Sequence, residues 1–179
     1  RILDIGGTPV FWQTWSDLID WNVGEITCLN LPDGDLGPEV SGGHCRMVTG
    51  DARDLSGWAD SACDICFSSS VIEHVGQWSD MAAMASEIAR VAPRYLVQTP
   101  NFWFPVEPHA RTPFLHWLPE PLAYRIVMSR RCGFWAQQPT VAGATRAVQS
   151  AKLLDRAQMQ ALFPEAEIRR ERFMGLTKA

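Results

Sequence analysis

The sequence has little lysine, no long hydrophobic run and no cluster of positive charge, and each shortage excludes a class of function. Only Lys152 and Lys178 accompany the fourteen arginines, so a mechanism built on an active-site lysine has two candidates, both near the C-terminal end. No segment reaches the roughly 18 consecutive apolar residues that a membrane-spanning helix requires, so we expect no membrane span. The basic residues are scattered and the net charge is -4, which disfavours a nucleic-acid partner and favours a small-molecule one.

Regularly spaced cysteines are also missing. The five cysteines are an odd number, which argues against the disulfide framework of a secreted domain, and no segment resembles an export signal, so we expect a cytoplasmic protein. Cys63 and Cys66 have the spacing of some metal or redox motifs. Because residues three apart on a strand face opposite sides, we expect both to be core residues instead.

Short β-type runs alternate with amphipathic helical segments along the chain. This order predicts an α/β fold: a doubly wound, Rossmann-like, mostly parallel sheet in a three-layer α/β/α arrangement. The predicted strands are residues 2–5, 25–31, 45–49, 64–68, 94–99 and 165–173. The predicted helices are residues 10–21, 78–91 and 153–163, and residues 32–43 are predicted to be a loop.

Residues 101–138 differ in composition from the rest of the chain. Tryptophan, phenylalanine and proline are interleaved there with two histidines, which predicts an aromatic-rich helical insertion after the fifth strand, with its own local core and a lid-like role. Residues 139–150 form a polar stretch. We expect residues 1–179 to be a single domain, trimmed at both ends because it begins at its first strand and stops where a last strand should start.

Residues that could bind a ligand lie at or after the ends of four of the predicted strands. In an open parallel sheet, ligands bind beyond the carboxyl ends of the strands, close to the point where strand order reverses. The first strand leads into Gly6-Gly7-Thr8, where glycine lets the backbone approach a ligand. The second strand ends at Asn30, the third is followed by Gly50-Asp51-Ala52, and the fourth ends in Ser68-Ser69-Ser70.

The motifs I-L-D-I-G-G-T, G-D-A-R-D-L and F-S-S-S-V-I-E-H-V, in this order, resemble those of the class I S-adenosylmethionine-dependent methyltransferases. The similarity is to their small-molecule branch, the type 11-like group. It extends over essentially the whole chain and implies S-adenosylmethionine as the cofactor. The residues at the matching positions, which the resemblance implies bind the cofactor, are Asp4, Gly6, Gly7, Thr8, Asn30, Leu31, Asp51, Ala52, Ser68 and Ser69.

The reaction that the resemblance implies is methyl transfer to a small-molecule acceptor by in-line attack on the sulfonium methyl. The protein would hold the reacting atoms in line and exclude water. An oxygen or nitrogen nucleophile gains from a general base, and the predicted lid offers His109 first and Glu107 second, because imidazole titrates near neutral pH.

Several alternatives remain open from the sequence. Thr8 and Pro9 stand where the family has further spaced glycines, and Asn30 stands where it has an acid, so the second hypothesis is a catalytically impaired methyltransferase-like binding or scaffold domain. Asp51 is also a common turn residue, the serines could cap a helix, Glu107 and His109 could brace their segment, and His116 could be a packing residue. A short-chain dehydrogenase is excluded because no Tyr-x-x-x-Lys pair is present. The acceptor atom and the oligomeric state stay open.

Overall fold

The computed structural model of this chain describes residues 1–15, 24–32 and 45–179. These residues form two compact units, Arg1–Gln98 and Thr99–Ala179. The C-terminal half of the predicted first helix, including Leu18 and Ile19, lies outside the described residues, as does the predicted loop from residue 33 onward.

The first unit contains a five-stranded sheet in its described residues. The strands are β1 (Ile2–Ile5), β2 (Ile26–Asn30), β3 (Cys45–Thr49), β4 (Ile65–Ser69) and β5 (Tyr95–Gln98). Their order is β3-β2-β1-β4-β5 and every neighbouring pair is parallel. The Rossmann-like α/β fold is therefore confirmed. The run of buried apolar residues in β1 and β2, with Leu3, Ile26 and Cys28 fully buried, is typical of central parallel strands.

The α-helices among the described residues of this unit are α1 (Pro9–Thr14) and α2 (Trp78–Val91). Thr8 precedes α1 in an extended conformation, and Pro9 takes the first helical position, where its missing N–H costs nothing. α2 has the predicted bounds. Its side chains Met81, Met84, Ala85, Ile88 and Val91 are buried along one face, as its apolar spacing predicts.

The strand order reverses at β1. This strand pairs with β2 on one side and β4 on the other, so that Ile5 lies opposite both Leu29 and Ser68. The chain runs outward from β1 through β2 to β3 and then returns to β4. The switch point therefore lies between the carboxyl ends of β1 and β4, where doubly wound proteins bind their ligands.

The second unit contains α3 (Glu120–Ser129), α4 (Val141–Gln149), α5 (Arg156–Leu162) and a hairpin of β6 (Arg172–Phe173) and β7 (Leu176–Thr177). It has its own apolar core, formed by Ala110, Leu115, Ala123, Val127, Cys132 and Ala144. No helix in the described part of the chain is long and apolar enough to cross a membrane. The lid-like role of residues 101–138 stays a prediction.

Three sequence predictions in this unit need correction. The polar stretch 139–150 contains α4: Thr140 Oγ1 accepts from Gly143 N at 3.1 Å, and the small side chain of Ala144 is fully buried in the core. The predicted helix 153–163 begins only at Arg156, because Asp155 caps it by accepting from Gln158 N at 2.9 Å. The predicted strand 165–173 is wrong except for Arg172 and Phe173, which pair locally with β7.

Candidate functional site

Three hydrogen bonds connect the ends of the first three strands. Gly6 N donates to Leu29 O at 2.8 Å, and Gly50 N donates to Asn30 O at 2.9 Å. Between them, the Asn30 side-chain amide donates to Gly7 O at 2.7 Å. The fold therefore brings the predicted residues at the ends of β1, β2 and β3 to one edge of the sheet.

The two glycines after β1 are required for different reasons. Gly6 has φ +77°, which favours glycine, and a β-carbon there would clash with the side chain of Val71. Gly7 does not have a positive φ, but a β-carbon on it would overlap with the carboxylate of Asp4. The sequence motif predicts a close approach of the backbone to a ligand, whereas at Gly7 the close approach is to a side chain of the protein itself.

Asp4 is a buried acid with one partnered and one unpartnered oxygen. Its Oδ2 accepts a hydrogen bond from Trp12 Nε1 at 2.6 Å, while Oδ1 is buried and has no hydrogen-bond partner among the described residues. Burial raises the pKa of Asp4 to about 6, against the opposing effect of the Trp12 hydrogen bond. The Trp12 ring in turn packs edge-on against Phe67, with 5.8 Å between ring centroids.

Trp12 is a residue that the sequence did not single out as part of the site. Its signal was weak: it lies in the helical segment that follows the glycine turn, eight residues after Asp4. A tryptophan N–H in an apolar environment needs an acceptor, and the buried Asp4 carboxylate supplies it.

Asn30 takes part in the turn after β1. Because its Nδ2 donates to Gly7 O, its Oδ1 remains as the side-chain acceptor for a ligand hydroxyl. An aspartate or glutamate could not make this bond, since an ionised carboxylate has no hydrogen to donate to a carbonyl. Leu31, which follows, is exposed.

Asp51 is bound by Arg53 through both of its oxygens. Asp51 Oδ1 accepts from Arg53 N at 2.9 Å, which is the turn geometry that aspartate often adopts. The Arg53 guanidinium donates to Asp51 Oδ2 at 2.6 Å and lowers the pKa of this acid by hydrogen bonding. Ala52 is buried. A ligand amine at Asp51 would therefore share the carboxylate with Arg53, which the sequence did not single out.

The serines at the end of β4 lead into a turn and do not cap α2. Ser69 Oγ donates to Gln98 Oε1 at 2.8 Å, and Ser70, with φ +56°, donates its N–H to Gln98 O at 2.9 Å. α2 begins later, after its N-cap Gln77. Ser68 is fully buried, and its Oγ has no hydrogen-bond partner in the described part of the chain.

Cys28, Cys63 and Cys66 are free, buried thiols. Burial raises the pKa of both Cys28 and Cys66 to about 12, so these thiols stay protonated, and Cys63 is also buried. No group of three or more histidine, cysteine or acidic side chains among the described residues could hold a metal ion. The core interpretation of Cys63 and Cys66 agrees with the structure.

The two predicted catalytic residues lie in the second unit and contact each other. The carboxylate of Glu107, which is buried, is hydrogen-bonded to His109 Nδ1 and also accepts from the backbone N–H of Ala110. His116 Nε2 lies 2.9 Å from Phe102 O. The sequence predicts a packing role for His116 and gives no sign of this hydrogen bond.

The parallel sheet, its β1–β4 switch point and the glycine turn after β1 form a Rossmann-like α/β domain, a fold in which ligands bind at this edge of the sheet. A comparison with protein families is more specific: residues 13–94 match the model of a methyltransferase domain (Methyltransf_11). No curated protein matches the chain. This match supports a class I S-adenosylmethionine-dependent methyltransferase of the type 11-like group, in agreement with the resemblance of the motifs.

Proposed function

We propose that this chain is an enzyme that transfers a methyl group from S-adenosylmethionine to a small-molecule acceptor. The family match supports methyl transfer in general. The single observation that carries the cofactor proposal is the buried, unpartnered carboxylate oxygen at the switch point, Asp4 Oδ1 on β1. Ser68 Oγ on the neighbouring strand β4 is also buried and unpartnered among the described residues, but Ser68 pairs with Ile5, so its side chain lies on the other face of the sheet.

The chemistry of these groups fits S-adenosylmethionine. A buried acceptor without a partner is costly, by about 1–3 kcal/mol, and a hydrogen-bond donor that reaches it would recover that cost. The cofactor offers an ammonium group, which Asp4 would attract, and ribose hydroxyls, which the Asn30 Oδ1 would accept. The turn Gly6-Gly7-Thr8, together with Leu31, the residue after Asn30, completes the proposed methionine and ribose sites.

The remaining proposed contacts lie beyond β3 and β4. Asp51 and Ala52 would hold the adenine, with Arg53 keeping the Asp51 carboxylate ionised, and Ser69 would line the site beside Ser68. When bound, the cofactor supplies a sulfonium methyl group for in-line attack by the acceptor. The protein residues at the strand ends bind and orient that group and exclude water around it.

For the acceptor we propose His109 as general base and Glu107 as the residue that orients it. A carboxylate on Nδ1 fixes the tautomer of the imidazole and directs its basic character to Nε2, which is the arrangement of known acid–base pairs. The Glu107–His109 contact has this pattern. The bond from Ala110 N to the second Glu107 oxygen holds the carboxylate in place.

Titration calorimetry with S-adenosylhomocysteine tests the cofactor proposal. We expect saturable binding to the wild-type chain, and at least tenfold weaker binding to Asp4→Ala, because the variant loses the acid that attracts the ammonium group. Asp60→Asn is the matched control, since Asp60 is an exposed acid of the same unit and should bind like wild type. Absence of binding at millimolar ligand would overturn the proposal.

Methyl transfer itself requires a separate assay. Transfer of labelled methyl groups to a panel of small phenols, amines and carboxylic acids should yield at least one product, and His109→Gln should reduce its rate by about a hundredfold or more without changing S-adenosylhomocysteine affinity. If cofactor binds but no acceptor in the panel is methylated, the scaffold alternative replaces the enzyme.

A further inference from the structure

The second unit contains a cavity of about 280 Å³ that is partly open to solvent. Most of its wall is apolar, with Leu115, Ala123, Trp135 and Val148 among the lining residues. The cavity lies beside the apolar core of this unit, because Leu115 and Ala123 belong to both. Its volume corresponds to roughly nine water molecules, and a 150 Å³ apolar cavity is known to accept benzene, so a bicyclic ring is within its size.

His116 is a polar residue of this wall, with one ring nitrogen that has no hydrogen-bond partner among the described residues. Its Nε2 lies 2.9 Å from Phe102 O, and because a carbonyl oxygen only accepts, Nε2 must carry the hydrogen. In the neutral ring, Nδ1 is then a hydrogen-bond acceptor. Nδ1 is buried, and no described residue donates to it.

The orientation of the His116 ring is fixed from several sides. The Phe102 ring meets it edge-on, with 5.6 Å between centroids, and Trp117 packs on it at 5.4 Å. Trp117 Nε1 donates to the same Phe102 oxygen at 2.8 Å. A 180° flip of the ring would place the Cε1 C–H instead of the Nε2 N–H against Phe102 O and lose this hydrogen bond, so Nδ1 stays the acceptor of the neutral ring.

The charged residues on the cavity wall have partners within the protein. Glu107 binds His109 and the Ala110 amide, Glu120 accepts from Gln149 Nε2 at 2.9 Å, and Lys152 also has an interaction partner. A charged ligand would have to displace these contacts. A neutral ligand would not.

We infer that this cavity is a binding site for a neutral, mainly apolar molecule of one or two rings that donates an N–H or O–H to His116 Nδ1. The site lies wholly within residues 99–179. It goes beyond the proposed methyl transfer and does not depend on it, because binding here requires neither the cofactor nor the residues of the first unit.

Indole and benzofuran are matched probes for this site. They have almost the same shape, but indole carries one N–H donor and benzofuran has none. We expect indole to bind the full chain without cofactor, and to bind about five- to tenfold more tightly than benzofuran, the difference that one neutral hydrogen bond supplies. Calorimetry measures the affinities, and the imidazole ¹⁵N resonances of His116 should move with indole.

Two variants locate the site. His116→Phe keeps a ring of similar size and leaves Phe102 O with its Trp117 donor, so it should bind indole and benzofuran equally. Ala151→Phe should fill the cavity and weaken both probes at least tenfold. Ala142→Phe is its control: it adds the same ring at an exposed position of α4 that does not line the cavity, and it should bind like wild type.

Equal affinity of indole and benzofuran for the wild-type chain would overturn the inference, as would binding of neither probe or wild-type affinity in Ala151→Phe. Thermal unfolding of each variant identifies any that does not fold. Even if both cavity variants fail to fold, the relative affinities of indole and benzofuran for the wild-type chain test the inference. Absence of S-adenosylhomocysteine binding, in contrast, would contradict the proposed cofactor site and leave this one untouched.

Discussion

The carboxylate of Asp4 occupies the space where a β-carbon on Gly7 would lie. The turn after β1 therefore packs directly against the buried carboxylate of Asp4, with no space between the carboxylate and Gly7. Trp12 holds the same carboxylate from α1, and Asn30 holds the Gly7 carbonyl from β2. Contacts to Asp4 and Gly7 therefore link β1 and its turn to α1 and β2.

This relationship predicts strong coupling between Asp4 and Gly7. Gly7→Ala should destabilise the chain by about 1–3 kcal/mol, the usual cost of overpacking, because the new methyl group overlaps with the carboxylate. In an Asp4→Ala background the same substitution should cost much less, giving a coupling free energy of about 1–2 kcal/mol. Urea unfolding of the four proteins measures it.

Gly57→Ala is the control for that cycle, since a β-carbon at Gly57 meets no atom within 4 Å. It should leave stability nearly unchanged in both backgrounds. Additive effects of Asp4→Ala and Gly7→Ala would contradict the packing described for the turn.

The raised pKa of Asp4 predicts a particular pH dependence of stability. Burial raises the pKa from 3.8 to about 6 in the folded chain, so the folded state holds this proton more tightly than the unfolded state. The resulting stabilisation is complete below about pH 4 and is lost as the pH rises through about 6, a total of about 3 kcal/mol. Asp4→Asn has no such titration.

Urea unfolding of wild type and Asp4→Asn between pH 4 and pH 8 tests this prediction. The free energy of unfolding of the variant, minus that of wild type, should rise by about 2–2.5 kcal/mol from pH 4 to pH 7 and then stay nearly constant. Acids whose pKa values are lowered by partners, such as Asp51 and Glu87, remain in both proteins and cancel. A difference that is flat with pH would show that Asp4 titrates normally.

Asn30→Asp tests whether the fold is more stable with the amide at this position or with the acid that the family usually has there. The substitution removes the donor to Gly7 O and places a carboxylate beside a carbonyl oxygen, so we expect a loss of about 1 kcal/mol in unfolding free energy at pH 7. Asn30→Ala, which removes the bond without adding charge, is the comparison. If Asn30→Asp were as stable as wild type, the bond to Gly7 would have no structural role.

Glu107 should be needed for the stability of the second unit. Glu107→Ala leaves the buried Ala110 N–H without an acceptor, which predicts a loss of about 1–3 kcal/mol and faster hydrogen exchange at Ala110. Glu107→Gln keeps an acceptor oxygen for that amide and should lose less. Unchanged exchange at Ala110 in Glu107→Ala would argue against the bracing contact and leave only the proposed orientation of His109.

The parallel sheet was predictable because its signals are local and strong. β1, β3 and α2 have the bounds that apolar runs and helical spacing predict, and the glycines after β1 mark the turn. The contacts around the site were less accessible. Nothing in the sequence shows that Arg53 would bind the Asp51 carboxylate or that Gln98 would pair with Ser69, since both depend on side-chain directions that the fold sets.

The second unit was harder to predict because its elements depend on tertiary packing. α4 has a glycine and three β-branched residues within its span, which weaken the helical pattern. Its small side chains become an apolar face only against the core around Ala144. Residues 165–173 have the alternating pattern that is typical of a strand. Only the last two, Arg172 and Phe173, form a strand, β6, which pairs with β7 in a hairpin around Gly175.

We propose that the edge formed by the ends of β1, β2, β3 and β4 binds S-adenosylmethionine. The most direct measurement is a ¹H–¹⁵N correlation spectrum of the chain titrated with S-adenosylhomocysteine. We expect saturable shifts that are largest at the amides of Asp4, Gly6, Gly7, Asn30, Asp51, Ser68 and Ser69. Absence of shifts at millimolar ligand, or shifts confined to residues 99–179, would contradict it.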